Sequence, residues 1–347
     1  LGWLGQKKVL RDRVAGTMHV LMFWGFLMLA SDMFDLATAN YFSGELLPEL
    51  VVGPWNGMVE LGYTMALIGC VSALVRRVAF TPEKLKGKSQ LEGNAILLLI
   101  FTITTTSFMI ESKEDPSPFW EPIGYQFSEF GLADRTVVVS YWLHMLAISV
   151  FLFLIPLSKH MHLVMAVPNV FFHDTGPAAK MRPLAMGDDG KAVPLEDLDI
   201  DSFGVSSYTQ YTWRQLIDGW SCTSCARCQD VCPAYASGKG LNPMQVIHDV
   251  RDYANEHAPL LLSGEAPEET MMQRITEEAV WACTTCNACV DVCPLYIEHV
   301  PKLTDLRRNA MMETMEYPDV LNTAMGNIES TSNPYGYGDH ERADWAS

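Results

Sequence analysis

Two runs of four cysteines constrain this chain more than any other feature. Each is spaced C-x-x-C-x-x-C-x-x-x-C-P: Cys222, Cys225, Cys228 and Cys232 before Pro233, then Cys283, Cys286, Cys289 and Cys293 before Pro294. A 4Fe-4S cubane needs four thiolates at the corners of a tetrahedron. Three cysteines at intervals of three wrap one side of it and leave backbone N–H groups free to bond the sulfides, so the fourth thiolate comes from elsewhere. Zinc would ask for paired four-ligand knuckles, and disulfides are disfavoured in a reducing compartment. The two prolines set the exit from each loop. The ninth cysteine, Cys70, lies in an apolar stretch and reads as a small packed hydrophobe.

The 347 residues divide into unlike halves. Residues 1–169 carry 12 Lys+Arg against 14 Asp+Glu, and residues 170–347 carry 12 against 27, so nearly all of the net charge of -17 belongs to the second half. Such acidity argues against nucleic acid as a partner, and against anionic headgroups for that half. The first half has four apolar stretches, 14–37, 52–75, 93–110 and 136–158, the last two without a charge. Each approaches the roughly 20 helical residues that cross a bilayer core of about 30 Å.

Loop charge gives an orientation. Lys7, Lys8, Arg11 and Arg13 precede the first stretch, and Arg76, Arg77, Lys84, Lys86 and Lys88 lie between the second and third. Basic loops stay cytoplasmic. Four crossings then return the chain to the cytoplasm, which puts the cysteines where thiols stay reduced. The expected location is the cell (inner) membrane, multi-pass, with the cysteine-rich half inside.

Histidines within or beside such spans point to function. His19 is near the inner end of the first stretch, His144 is in the outer half of the last, and His160 and His162 lie just past its inner end. On one continuous helix, His144 and His162 would share a face about five turns and 27 Å apart. His19 and His162 would both be near the inner surface, able to supply two axial imidazoles to one macrocycle. Asp32, Glu60 and the run Thr102 to Ser107 are the other polar groups in the spans. Carboxylates near a redox centre can serve a quinone that takes up protons, or can simply reach the interface.

The segments PLSKHMHLVMAVPN and RVAGTMHVLMFWGF resemble the last helix and the early ligand helix of the cytochrome b subunit of respiratory nitrate reductase and related heterodisulfide reductase cytochromes. The resemblance implies that His19 and His162 hold an inner haem b. That family has a second early histidine where this chain has Leu29, so His144 is expected either at a second haem with another ligand or facing a quinone. The cysteine spacing is that of bacterial two-cluster ferredoxins. There each fourth cysteine serves the other cluster, which implies Cys222, Cys225, Cys228 and Cys293 for one, and Cys283, Cys286, Cys289 and Cys232 for the other.

About 50 residues separate the motifs, too many for a compact ferredoxin. Asn242-Pro243 reads as a helix start, and PEETMMQRITEEAVWAC as a second helix entering the second motif. The stretches SCTSCARCQDVCPAYASGKGLNP and ACTTCNACVDVCPLYIEHVPKLTDLRR resemble heterodisulfide reductase iron-sulfur subunits, and the helical ferredoxin is also built like that of succinate dehydrogenase iron-sulfur proteins.

The expected fold is all-α: a transmembrane helical bundle of cytochrome b type over 1–170, a connector over 171–212, a two-cluster α-helical ferredoxin over 213–312, and an extension over 313–347. SNPYGYGDHERADW resembles the connector to a further cysteine-rich domain in longer members, and Leu1 in place of Met suggests an earlier N-terminal piece.

The whole resembles membrane iron-sulfur oxidoreductases of the electron-transfer flavoprotein:quinone type. That implies an oxidoreductase component of a multi-subunit complex, passing electrons from a cytoplasmic flavoprotein through two 4Fe-4S clusters and haem b to quinone. A quinol-dependent heterodisulfide or sulfur-pathway reductase would run the other way. A membrane anchor without haem is the non-enzymatic alternative.

Overall fold

The computed structural model describes residues 4–42, 49–80, 88–177, 181, 183–184, 193–197, 203–265, 267–341 and 343–346; the side chains of 32–42, 49–51, 88–89 and 195 are outside the description. Among the described residues there is no strand, and the fold is all-α. The chain forms two compact units. One is Leu1–Phe172 with Trp220–Ala226 and Val292–Ile297; the other is His173–Gly219, Arg227–Asp291 and Glu298–Ser347.

The first unit contains α1 (Arg13–Phe42), α2 (Glu49–Ala79), α3 (Lys88–Glu111), α4 (Pro122–Glu129), α5 (Asp134–Leu154) and α6 (His162–Phe171). Within α1, α2, α3 and α5, the stretches Arg13–Ser31, Val52–Ala79, Gln90–Glu111 and Asp134–Leu154 are long and apolar enough to cross a membrane.

Small residues set the closest helix contact. A Cβ at Gly25 would stand 2.7 Å from the Gly62 carbonyl oxygen and 2.9 Å from the Ala66 nitrogen, and one at Gly69 would stand 2.8 Å from the Met18 oxygen. Helices in lipid gain contact from such close approach, since no hydrophobic force drives them together there. Elsewhere the bundle packs Cys70, Ile96, Leu97, Ile100 and Phe151 into one core, with Phe26 stacked on Phe151 at 6.1 Å. Cys70 is fully buried and donates its thiol to the Leu97 oxygen at 2.9 Å, so it packs as a small core residue.

On α5, Ser140, Ala147 and Phe151 are buried while Val139, Trp142, Leu146 and Phe153 are exposed, which separates an inward face from an outward one. His144, four residues after Ser140 and three before Ala147, falls on the inward face.

One sequence expectation is corrected here. His144 and His162 do not share a helix: α5 ends at Leu154, and α6 begins at His162. Pro156 has no N–H for the Leu152 carbonyl and its ring crowds that oxygen. Ser158 then starts a new segment, accepting the His160 N–H at 3.2 Å, through a short 3-10 turn over Lys159–Met161.

The second unit packs Tyr211, Cys232, Leu241, Val246, Val250, Tyr253, Met271, Val280, Leu303 and Leu306 into its core. The helix Pro243–Glu256 buries Val246, Ile247, Val250, Tyr253 and Ala254, one face at helical spacing. Asn242 caps it, accepting from the N–H groups of Met244 and Gln245 at 3.0 and 3.4 Å, with Pro243 in the first turn. The single helix expected over PEETMMQRITEEAVWAC is two, Met271–Ile275 and Glu277–Ala282, divided at Thr276, whose φ is +78°.

Candidate metal centres

The two cysteine loops repeat a backbone conformation as well as a spacing. Ser224 and Ala226 flank Cys225 with φ of 56° and 60°, and Thr285 and Asn287 flank Cys286 with φ of 54° and 59°. Four non-glycine residues in the left-handed region, at matching places in two copies, indicate strain kept for a purpose. Alternating left- and right-handed residues turn successive N–H groups into one concavity, the nest used at iron-sulfur and phosphate sites. The Thr285 N–H already points at the Cys283 sulfur, 3.4 Å away. Cys225 and Cys286 are exposed at the loop tips.

The cysteines of the two motifs interleave. Burial pushes the Cys293 thiol up to about 12, and the neighbouring sulfurs of Cys225 and Cys222 add to that. In the second unit, burial and then Cys283, Cys286 and Cys232 push Cys289 up to about 12. Cys232, from the first motif, therefore stands among the cysteines of the second. Cys293, from the second, stands with two of the first. Cys228 is buried on the helical turn Arg227–Asp230. Among the described residues no three His, Cys, Asp or Glu side chains draw together tightly enough for a single ion. A four-iron cage is wider than the shell of one ion.

His162 and His144 are oriented in a common way. The His162 Nδ1 lies 2.8 Å from the Lys159 carbonyl oxygen, and the His144 Nδ1 lies 3.1 Å from that of Ile103 and 2.9 Å from the Thr106 hydroxyl. An imidazole whose Nδ1–H is held by a carbonyl presents Nε2 as its basic atom, the arrangement usual for a metal ligand. His162 is pushed down by burial, and His160, its ring 5.9 Å away, is pushed down to about 4, by burial first and then by His162, Lys159 and Arg77. Both are neutral at pH 7. His19 stacks on Phe23 at 6.4 Å.

Of the other polar groups of the spans, Glu60, Thr102, Thr104, Thr106 and Ser107 have local partners, while the buried Thr105 hydroxyl makes no hydrogen bond among the described residues. Both Glu60 oxygens accept from the first turn of α4, from the N–H groups of Ile123 and Gly124, each at 2.9 Å. Glu60 thus caps a helix. Thr102, Thr104, Thr106 and Ser107 bond carbonyls one turn back in α3. The side chain of Asp32 lies outside the described residues.

Two connections were missed from sequence. In the first unit α6 is held from two sides: the Ser221 hydroxyl donates to the Met165 oxygen at 3.1 Å, and the Asn169 amide to the Leu295 oxygen at 2.9 Å. Ser221 precedes Cys222, and Leu295 follows Cys293 by two residues. In the second unit, Lys302 bonds Asp218 at 2.5 Å, both fully buried, while Arg214 bonds Asp218 at 2.9 Å and Glu298 at 3.3 Å. Burial alone would raise the Asp218 carboxyl, but Lys302 and Arg214 hold it below the usual range. Only the periodicity of α7 (Trp213–Ser221), which puts Arg214 and Asp218 one turn apart, hinted at part of this network.

Residues 214–294 match the 4Fe-4S dicluster domain family. The chain is a relative of iron-sulfur oxidoreductases. It is 30% identical to "EtfAB:quinone oxidoreductase" of Syntrophomonas wolfei, over 98% of this chain and 52% of that protein. It is 28% identical to "Probable iron-sulfur-binding oxidoreductase FadF" of Bacillus subtilis, over 98% and 53%. A shorter match, 37% identical over 27% of this chain and 24% of the relative, is to a polypeptide of the dihydromethanophenazine:CoB--CoM heterodisulfide reductase of Methanosarcina acetivorans. The chain spans about half the length of the first two relatives. No solved structure matches.

Proposed function

We propose that this chain is a membrane electron-transfer component that passes electrons between a cytoplasmic donor, electron-transfer flavoprotein, and membrane quinone. The observation that carries this reading is that Cys232 stands among the cysteines of the second motif and Cys293 beside Cys222 and Cys225, in a chain that also has four helices of membrane length. Cys222, Cys225, Cys228 and Cys293 hold one 4Fe-4S cluster, and Cys283, Cys286, Cys289 and Cys232 the other. His19 and His162 hold haem b, and His144 faces a second haem or the quinone.

The bound groups supply one-electron chemistry. The chain's own residues do the rest. The left-handed residues aim N–H groups into each cage, the carbonyls of Lys159 and Ile103 fix the imidazole tautomers, and the bundle excludes water. Residues 1–170 form the membrane part, 171–212 the connector, 213–312 the ferredoxin and 313–347 an extension, with the ferredoxin on the cytoplasmic side of the cell membrane. The relative that names electron-transfer flavoprotein and quinone supports the partners, as part of a multi-subunit assembly.

The test uses membranes containing the full chain, mixed with reduced electron-transfer flavoprotein, with and without a menaquinone analogue. Reduction of the clusters and haem by the flavoprotein, reversed by the analogue, is expected. The match to a heterodisulfide reductase polypeptide favours a second reading, in which electrons run from quinol to a disulfide. No reduction by flavoprotein, together with rapid oxidation of the haem by a disulfide, would establish that one instead.

A further inference from the structure

Arg307, on the helix His299–Asn309, reaches back to the entrance of the second cysteine loop. Its Nη2 donates to the carbonyl oxygens of Val280 and Cys283, at 2.6 and 2.5 Å, and its Nε to that of Val280 at 3.1 Å. The guanidinium lies over the Trp281 ring, 5.3 Å from its centroid. Among the described residues no carboxylate pairs with it. Other arginines of the second unit are paired with carboxylates: Arg251 with Asp252, Arg308 with Asp305, Arg214 with Asp218 and Glu298. Arg307 thus leaves an uncompensated, half-buried positive charge on the peptide of Cys283, where water screens it weakly.

We infer that Arg307 is a positioning residue that raises the reduction potential of the cluster held by Cys283, Cys286, Cys289 and Cys232. This rests on the ligand assignment proposed above. Reduction adds one electron and no proton, so the cage becomes one charge more negative. A fixed cation beside it favours that state over the oxidised one. A purely structural role, tying the end of the helix Glu277–Ala282 to the helix His299–Asn309 through two free carbonyls, would leave the potential unchanged.

The experiment is an EPR-monitored titration of the full chain with dithionite, for wild type, Arg307→Gln, Arg307→Met and Arg307→Lys. The signals are assigned by their loss in Cys286→Ala and Cys225→Ala. In the neutral variants the signal lost in Cys286→Ala should need a lower potential. At a fixed potential its reduced-to-oxidised ratio should fall about tenfold, which is 59 mV for a one-electron couple. The other signal should not move, and Lys should restore most of the shift.

Unmoved midpoints in both neutral variants overturn the inference. So does an equal shift of both signals, or loss of the cluster from both neutral variants while Lys keeps the wild-type potential, which would make the cation a matter of assembly. Absence of two clusters from the wild type would instead defeat the ligand assignment, and the two failures are distinct.

Discussion

The amide of Asn169 donates to the main-chain oxygen of Leu295 at 2.9 Å, and Asn169 has no exposed surface. One residue therefore joins α6, which starts at His162, to the segment that follows Cys293. Replacing Asn169 with Leu should leave the Leu295 oxygen without this donor and cost about 1–3 kcal/mol, the usual penalty for a stranded buried polar group. Thermal unfolding measures the cost. The EPR line shape of the Cys293 cluster should change as its loop relaxes, while the signal of the Cys283 cluster stays as in wild type.

The proposed exchange of fourth cysteines predicts which signal each substitution damages. Cys293→Ser should alter the cluster of Cys222, Cys225 and Cys228, and Cys232→Ser that of Cys283, Cys286 and Cys289. Iron counting and EPR on the two variants check this. Loss of only the Cys283 cluster in Cys293→Ser would refute the exchange.

Histidine substitutions count the haems. A low-spin bis-imidazole spectrum should disappear in His19→Ala and in His162→Ala. If both variants keep their haem, the ligand assignment fails. Half the haem lost in His144→Ala would mean a second site despite Leu29, and an unchanged spectrum would mean one.

The buried pair of Lys302 and Asp218 sets an acid limit. Lys302→Met leaves the buried Asp218 carboxylate with Arg214 as its one remaining cation and should cost up to about 3–5 kcal/mol, the usual loss when one partner of a buried ion pair is removed. The pH dependence has a definite sign. Because the folded Asp218 carboxyl is held low, its contribution is present above the unfolded value of about 3.9 and is lost as pH falls through the folded one. The Asp218 contribution to the wild-type denaturant midpoint should therefore be lost only as pH falls through the lowered folded value, whereas in Lys302→Met it should be lost from a higher pH.

Much of this was legible in the sequence because it is written in short intervals. The cysteine spacing, the four apolar stretches and the Asn242-Pro243 helix start depend on neighbours within a few residues, and the structure has them. The break between α5 and α6 was hidden because Pro156 stands in a run apolar enough to read as one helix, and only the cap at Ser158 ends it. Thr276 divided another helix by a backbone angle that no residue-type pattern announces for a β-branched residue. The Lys302–Asp218 pair spans 84 positions, so neither charge looked different from a surface one. Glu60 reads as a stray intramembrane acid until α4 supplies the N–H groups it faces.

The glycine seam between α1 and α2 has a consequence for how many cofactors such a bundle can house. Backbones that meet at Gly25, Gly62 and Gly69 leave no room for a flat macrocycle between those two helices. His19 escapes this, because six residues separate it from Gly25 and place it about 120° around α1 from the seam. Position 29 does not: the Leu29 side chain lies against Gly62, with its Cδ2 3.6 Å from where a Cβ would stand. An imidazole at that position would face a wall of main chain. If His19 and His162 hold haem as proposed, the number of haems is a question of spacing before it is one of ligands, and a Leu29→His exchange alone would add a histidine without adding a site.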